Sequence, residues 1–143
     1  MLSQTSDYAL RAVLVIAKEY NRRNLRADEI ADSTGAPRNY LAKTLNGLAK
    51  AGILTSARGP LGGFALAVSP ETLTIARVIE CFESRKPQVQ CMLGGGLCDP
   101  ARPCAAHYRW LAITETRREP LANTTIAELL GDRADASCCN DAA

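Results

Sequence analysis

Several things are scarce in this chain. It has one histidine, His107, and one tryptophan, Trp110, and aromatics make up 5% of its 143 residues. A single imidazole leaves most general acid–base constellations poorly supplied. No nucleophile–base pair or nucleotide-cradling loop is visible either, so no enzyme is expected. No apolar run nears the roughly 20 residues that a membrane span needs. The N-terminus lacks a basic segment followed by an apolar one, so no secretory signal is read. The expectation is a cytoplasmic chain with no membrane partner. Internal repeats are absent.

Net charge is only +2, and 47% of residues are hydrophobic, which fits one globular unit with an extension. The distribution of charge says more than its sum. Residues 1–70 hold nine Lys/Arg against five Asp/Glu, whereas residues 71–143 hold eight against ten. A basic half joined to a mildly acidic one suits nucleic-acid contact by the first. Cysteine is plentiful, with six residues. In a reducing compartment these read as metal ligands or redox thiols before they read as disulfides.

The stretch Leu25–Val68 organises the rest. A helix begins at Leu25-Arg26-Ala27-Asp28-Glu29-Ile30-Ala31 and is broken by Gly35-Ala36-Pro37. Pro37 suits the first position of a second helix, where its missing N–H costs nothing. That second helix sets Leu41, Leu45 and Leu48 on one face and Arg38, Asn39, Lys43, Asn46 and Lys50 on the other. Gly52 is placed to end it. Two strands follow, Ile53–Arg58 and Phe64–Val68, joined by Gly59-Pro60-Leu61-Gly62-Gly63. Helix, tight turn, helix and hairpin make a winged helix-turn-helix, whose second helix is shaped for a major groove.

Around it, a helix over Ser6–Tyr20 carries Leu10, Val13, Leu14, Ala17 and Tyr20 as its apolar stripe, and Asn21–Asn24 is a polar, partly basic turn. Thr74 is the expected N-cap of a helix bearing Ile75, Val78, Ile79 and Phe82. From Ser84 to Cys104 no helical or strand period survives, and a loop of this length inside a domain is usually functional or disordered. Periodicity returns over Ala105–Glu119 and stops at Pro120. Thr125-Ile126-Ala127-Glu128 has capping-box spacing and opens a last short helix ending near Gly131. The expected units are 1–83 as DNA-binding domain, 84–104 as a cysteine-rich loop, 105–131 as a dimerisation helix with a short terminal helix, and 132–143 as a flexible tail. The expected fold class is mainly α with a small β-hairpin wing.

Three groups of residues carry candidate chemistry. Arg38, Asn39, Tyr40 and Lys43 occupy the first turns of the second helix, the part that meets base edges. Arg and Asn suit bidentate bonds to guanine and adenine, while Lys43 and Lys50 suit phosphates, which position without specifying. A solvated helix face has the same composition; the neighbouring elements favour DNA. Arg58 stands at the base of a hairpin tip almost free of side chains, Gly62 included, and suits a narrow minor groove.

The third group is Cys91, Cys98 and Cys104, separated by six and five residues, with His107 three beyond the last. Thiolates select iron–sulfur clusters, zinc or copper(I). Wide spacing on a glycine-rich loop suits an inorganic cluster better than the close pairs common around zinc. His107 is the candidate fourth ligand, and Asp7 a secondary one that helix-dipole preference also explains. Cys81 reads as a small packed residue, and Cys138 and Cys139 as incidental thiols. Trp110 and Ile113 mark the Ala105–Glu119 helix as the candidate seam of a homodimer, the form in which such heads bind palindromic DNA.

Taken together, Asp7-Tyr8-Ala9-Leu10-Arg11-Ala12, Tyr40-Leu41-Ala42-Lys43, Ala51-Gly52-Ile53-Leu54, Arg58-Gly59-Pro60-Leu61-Gly62-Gly63-Phe64 and the three loop cysteines resemble the Rrf2 family of bacterial regulators, over about residues 1–131. The resemblance implies a homodimeric winged-helix repressor or activator. Its iron–sulfur cluster, held by Cys91, Cys98 and Cys104, would tune affinity for promoter DNA in response to iron–sulfur status, nitric oxide or redox state. Family members of the IscR type, which His107 resembles, hold a 2Fe–2S cluster. Members of the NsrR type, which Asp7 resembles, hold a 4Fe–4S cluster with that acid supplied by the partner subunit. The six-residue first spacing departs from the family's usual five. The alternatives are a cluster-free thiol-switch or zinc-dependent regulator and, further off, a small redox protein that binds no DNA.

Overall fold

The computed structural model describes residues 3–83, 89–94, 96–116 and 122–132. The expected tail beyond Asp132, Cys138 and Cys139, Pro87, Gly95 and the helix end near Glu119 and Pro120 lie outside the described residues.

Small and branched side chains crowd the first helix, α1 (Gln4–Lys18), and bury Ala9, Ala12, Val13, Leu14, Ile16 and Ala17. Its buried surface is wider than the single stripe expected from Leu10 to Tyr20. Alanines let neighbours approach on two sides, so α1 packs against α2 (Ala27–Thr34), α3 (Arg38–Lys50), β2 (Gly63–Leu66), α4 (Ile75–Ile79) and α6 (Ile126–Asp132). The Ser3 hydroxyl caps α1 by accepting from the Ser6 N–H at 3.2 Å.

Helix α2 ends on Gly35, whose φ of 68° satisfies the left-handed cap. Pro37 is the N-cap of α3 rather than its first residue. Being followed by a helical Arg38, it keeps its extended ψ of 129° one residue earlier than expected. Leu41, Leu45 and Leu48 are all fully buried, each contributing about 1.5–3 kcal/mol by leaving water. The strands are shorter than expected, β1 (Leu54–Ala57) and β2, paired antiparallel from Leu54↔Leu66 to Ala57↔Gly63. Thr74 caps α4 as expected, its hydroxyl accepting from Arg77 N–H at 3.3 Å.

Two features escape local periodicity. First, the capping box at Thr125 is present, with Glu128 accepting from the Thr125 N–H at 2.7 Å, but α6 does not extend α5 (His107–Thr116). It folds back on the head: Ile126 is fully buried and its N–H donates to the Leu73 carbonyl at 2.8 Å. Second, the stretch read as lacking any period contains an antiparallel bridge, Gln90↔Leu97. The Cys91 N–H donates to the Gly96 carbonyl at 2.8 Å and the Cys98 N–H to Val89 at 2.7 Å. Two bonded residues are too few to leave an alternation in the sequence. The cysteine loop and α5 thus form an excursion that leaves the head after Glu83 and returns before α6.

Candidate nucleic-acid interface and cysteine site

Helix α3 presents Arg38, Asn39, Lys43, Asn46 and Lys50 to solvent on one side. Arg38 is steadied by two carboxylates of α2, Asp28 at 3.3 Å and Asp32 at 3.4 Å. These are exposed pairs worth little in stability, but they orient the guanidinium. Tyr40 differs from its neighbours. It stacks edge-on against Tyr8, ring centroids 5.7 Å apart, and its hydroxyl is hydrogen-bonded to Thr5. It therefore fastens α3 to the start of α1 as well as standing at the helix surface.

The wing is built close to the α1–α2 connection. Leu25 and Phe64 exchange backbone bonds, Leu25 N–H to Phe64 at 2.9 Å and the reverse at 2.7 Å. Asn24 donates to the Leu61 carbonyl at 3.2 Å and Arg26 to the Pro60 carbonyl at 3.1 Å. Glycine is required here for space. A Cβ at Gly62 would sit 2.4 Å from the Ala57 carbonyl oxygen, and one at Gly63, where φ is 139°, would sit 2.5 Å from that of Leu25. Gly62 is buried, so its part in the tip is to let the chain turn. Arg58 is exposed at the base and Leu61 is 91% exposed at the tip.

In the excursion, Cys91 and Cys104 come together, their sulfurs 3.7 Å apart, and both are free thiols. Two thiolates on one tetrahedral metal at about 2.3 Å would lie ~3.8 Å apart, so this pair has the spacing of two ligands to one ion. A disulfide requires about 2.05 Å. Hydrogen bonding from the Leu93 backbone, then from the Cys104 thiol, draws the Cys91 thiol below its ordinary range. Cys98 is pushed upward, first by desolvation and then by the neighbouring Cys91 charge. Burial likewise raises Cys81, whose thiol donates to the Arg77 carbonyl at 3.3 Å. Among the described residues no three His, Cys, Asp or Glu side chains stand together in metal-holding geometry. His107 is 3% exposed and leans edge-on against Tyr108, and Asp7 pairs with Arg11 at 2.9 Å. The donor chemistry fits a soft metal or cluster, and the geometry supplies one edge of the site.

Comparison with known proteins settles the relationship. The Rrf2 family, described as iron-dependent transcriptional regulator, matches residues 2–132. The chain belongs to the Rrf2 family. An Aquifex aeolicus (strain VF5) relative, named as an HTH-type transcriptional regulator, is 33% identical over 132 residues, 91% of each chain. The HTH-type transcriptional regulator IscR of Vibrio vulnificus (strain YJ016) is 29% identical over 131 residues, 92% of this chain and 77% of that one. Among solved structures, CymR of B. subtilis, titled a global cysteine regulator, superposes with a TM-score of 0.76 at 24% identity, covering 92% of this chain and 97% of that one. T. potens IscR also gives 0.76, at 22% identity, covering 96% and 92%. At those identities the structures speak for the fold, which is the winged-helix fold of Rrf2 regulators. The relatives are named as regulators, not enzymes. Among the described residues no helix is long and apolar enough to cross a membrane.

Sequence reasoning missed two groups that bear on this site. Glu83 accepts from the Ser6 hydroxyl at 2.7 Å and from the Ser3 N–H at 3.0 Å, joining the exit to the cysteine loop with the start of α1. Arg26 and Asn24 brace the wing. No local pattern pointed to either group: Ser6 stands between Thr5 and Asp7 in the sequence, and its burial is seen only in the fold.

Proposed function

We propose that this Rrf2 regulator binds promoter DNA as a homodimer and that an iron–sulfur cluster on the cysteine loop sets its affinity. The observation that carries this is the Cys91–Cys104 pair at 3.7 Å, on a loop that holds a third thiol and is followed by a buried imidazole. Cys91, Cys98 and Cys104 would hold the cluster, with His107 or the partner subunit's Asp7 as fourth ligand, and 2Fe–2S or 4Fe–4S nuclearity follows from which. When bound, the cluster supplies sensitivity to iron supply, oxidants and nitric oxide.

The chain's own residues offer a route from loop to groove. Glu83, where the loop departs, holds Ser3 and Ser6; the adjoining turn of α1 holds Tyr40 of α3 through Thr5 and Tyr8. Phe82 leans on α3 as well, so close that a Cβ at Gly47 would meet it at 2.9 Å. A shift of the loop would be felt at both ends of that chain. Arg38, Asn39 and Lys43 would meet the major groove, Lys50 a phosphate and Arg58 the minor groove of a palindromic site. Trp110 and Ile113 of α5 would lie at the seam, Ile113 being 49% exposed in the single chain.

A second reading also has an observation behind it. The same two thiols can act without metal as a switch, closing to a disulfide as they give two electrons and two protons to an oxidant such as a peroxide. An oxidised form of S. aureus CymR is among the similar folds. Absorbance, EPR and acid-labile sulfide on anaerobically purified protein separate the two. A coloured protein with sulfide supports the cluster; a colourless one with thiols that oxidise in pairs supports the switch.

A further inference from the structure

One feature of the surface is left over from the groove-reading residues. The turn between α1 and α2 carries Arg22, Arg23, Asn24 and Arg26, and it forms, with Glu29 of α2 and Pro60 and Leu61 of the wing tip, an open cleft of about 780 Å³. Resting on the DNA-binding reading above, we infer that this cleft is a second DNA contact. Its arginines take backbone phosphates on the strands flanking the groove that the wing enters.

The arginines are placed rather than scattered. Arg26 donates to the Pro60 carbonyl at 3.1 Å, which fixes it to the wing tip. Arg23 is held by Glu29 at 2.8 Å and Glu19 at 3.7 Å. The Arg22 backbone N–H donates to the Glu19 carbonyl at 2.9 Å, while its exposed side chain has no hydrogen bond or ion pair among the described residues. The cleft is lined by three guanidinium groups, those of Arg22, Arg23 and Arg26, against the one carboxylate of Glu29, so it stays net positive. The cleft is open, which suits a long rod-like polyanion better than an enclosed small anion. A tip that enters a groove must pass between two phosphate strands, so cations beside it meet phosphates. Arg also matches phosphate oxygens with its planar fork.

Such contacts position without reading bases, and that makes the assignment separable. The probe is a duplex recovered by selection from a random-sequence pool with the full-length wild-type protein. Its affinity is measured from low to high salt, beside a scrambled duplex, for wild type, Arg22→Ala and Arg22→Ala/Arg23→Ala. The slope of log K against log salt should fall by about 0.9 per arginine per bound protomer. Affinity at low salt should drop several-fold for the single variant and about ten-fold or more for the double, with the preference for selected over scrambled duplex kept. Unchanged slope and affinity overturn the inference. Loss of the preference together with affinity also overturns it, since the arginines would then shape the wing's readout. A wild-type protein that recovers no duplex overturns the DNA reading itself, which the variants alone do not.

Discussion

The head and the excursion are built on opposite principles. In residues 3–83 with α6, the core runs from Ala9 through the leucines of α3 to Val78 and Ile126, with most of those side chains fully buried. In residues 89–116 the one buried side chain among the described residues is His107. Tyr108, Met92 and Leu93 are 63–73% exposed. The head closes its core with its own chain. The excursion leaves large apolar residues exposed and its three thiols half-buried, held by a two-residue bridge and the Trp110 indole donating to the Gln90 carbonyl at 2.9 Å. The difference teaches that the part expected to read DNA is shaped by packing. The part expected to sense is shaped by whatever its thiols and α5 acquire, which is where a low-stability, responsive element belongs.

The largest effect that tests this contrast is in the head. Leu45→Ala should cost about 3 kcal/mol and lower the thermal midpoint sharply. Ile113→Ala should change the dilute monomer's stability by less than about 0.5 kcal/mol while weakening dimerisation in sedimentation. Equal losses would erase the distinction. Next, Gly63→Ala should cost about 1–3 kcal/mol, because the left-handed backbone and the Leu25 carbonyl both oppose a side chain. Chemical denaturation measures it. Thr125→Ala should cost about 1 kcal/mol by removing the capping box of α6, a loss felt by the head since α6 closes its core. The smallest effect sharpens the description of the excursion. In metal-free protein Cys91, with its thiol shifted down, should alkylate faster than Cys98, shifted up, as pH rises from about 7 to 8. Mass spectrometry of time points shows the order. The advantage shrinks once pH exceeds the ordinary thiol range and both are ionised.

Much of this was legible in advance, and the reasons are local. The leucine spacing of α3, Gly35 and Gly52 after their helices, the Thr74 and Thr125 caps and the glycine-rich wing each leave a signature within a few residues. What was not legible depends on pairs far apart in sequence. Ser6 meets Glu83 across 77 positions and Asn24 meets Leu61 across 37. No periodicity encodes such meetings. The Gln90↔Leu97 bridge is too short to alternate, and the return of α6 to the head is decided by Ile126 finding a place in the core. The cysteine spacing pointed to a shared site, but that Cys91 and Cys104 in particular come together is a meeting across 13 positions that no local pattern encodes.

The most direct test sets wild type beside Cys98→Ala, both purified anaerobically and titrated with the selected duplex by fluorescence anisotropy before and after nitric oxide. The account predicts that wild type carries visible absorbance and changes its affinity at least ten-fold on treatment. It predicts that the variant is colourless, melts within about 1 kcal/mol of metal-free wild type and does not respond. Wild type and variant binding with the same affinity, treated and untreated, would contradict it.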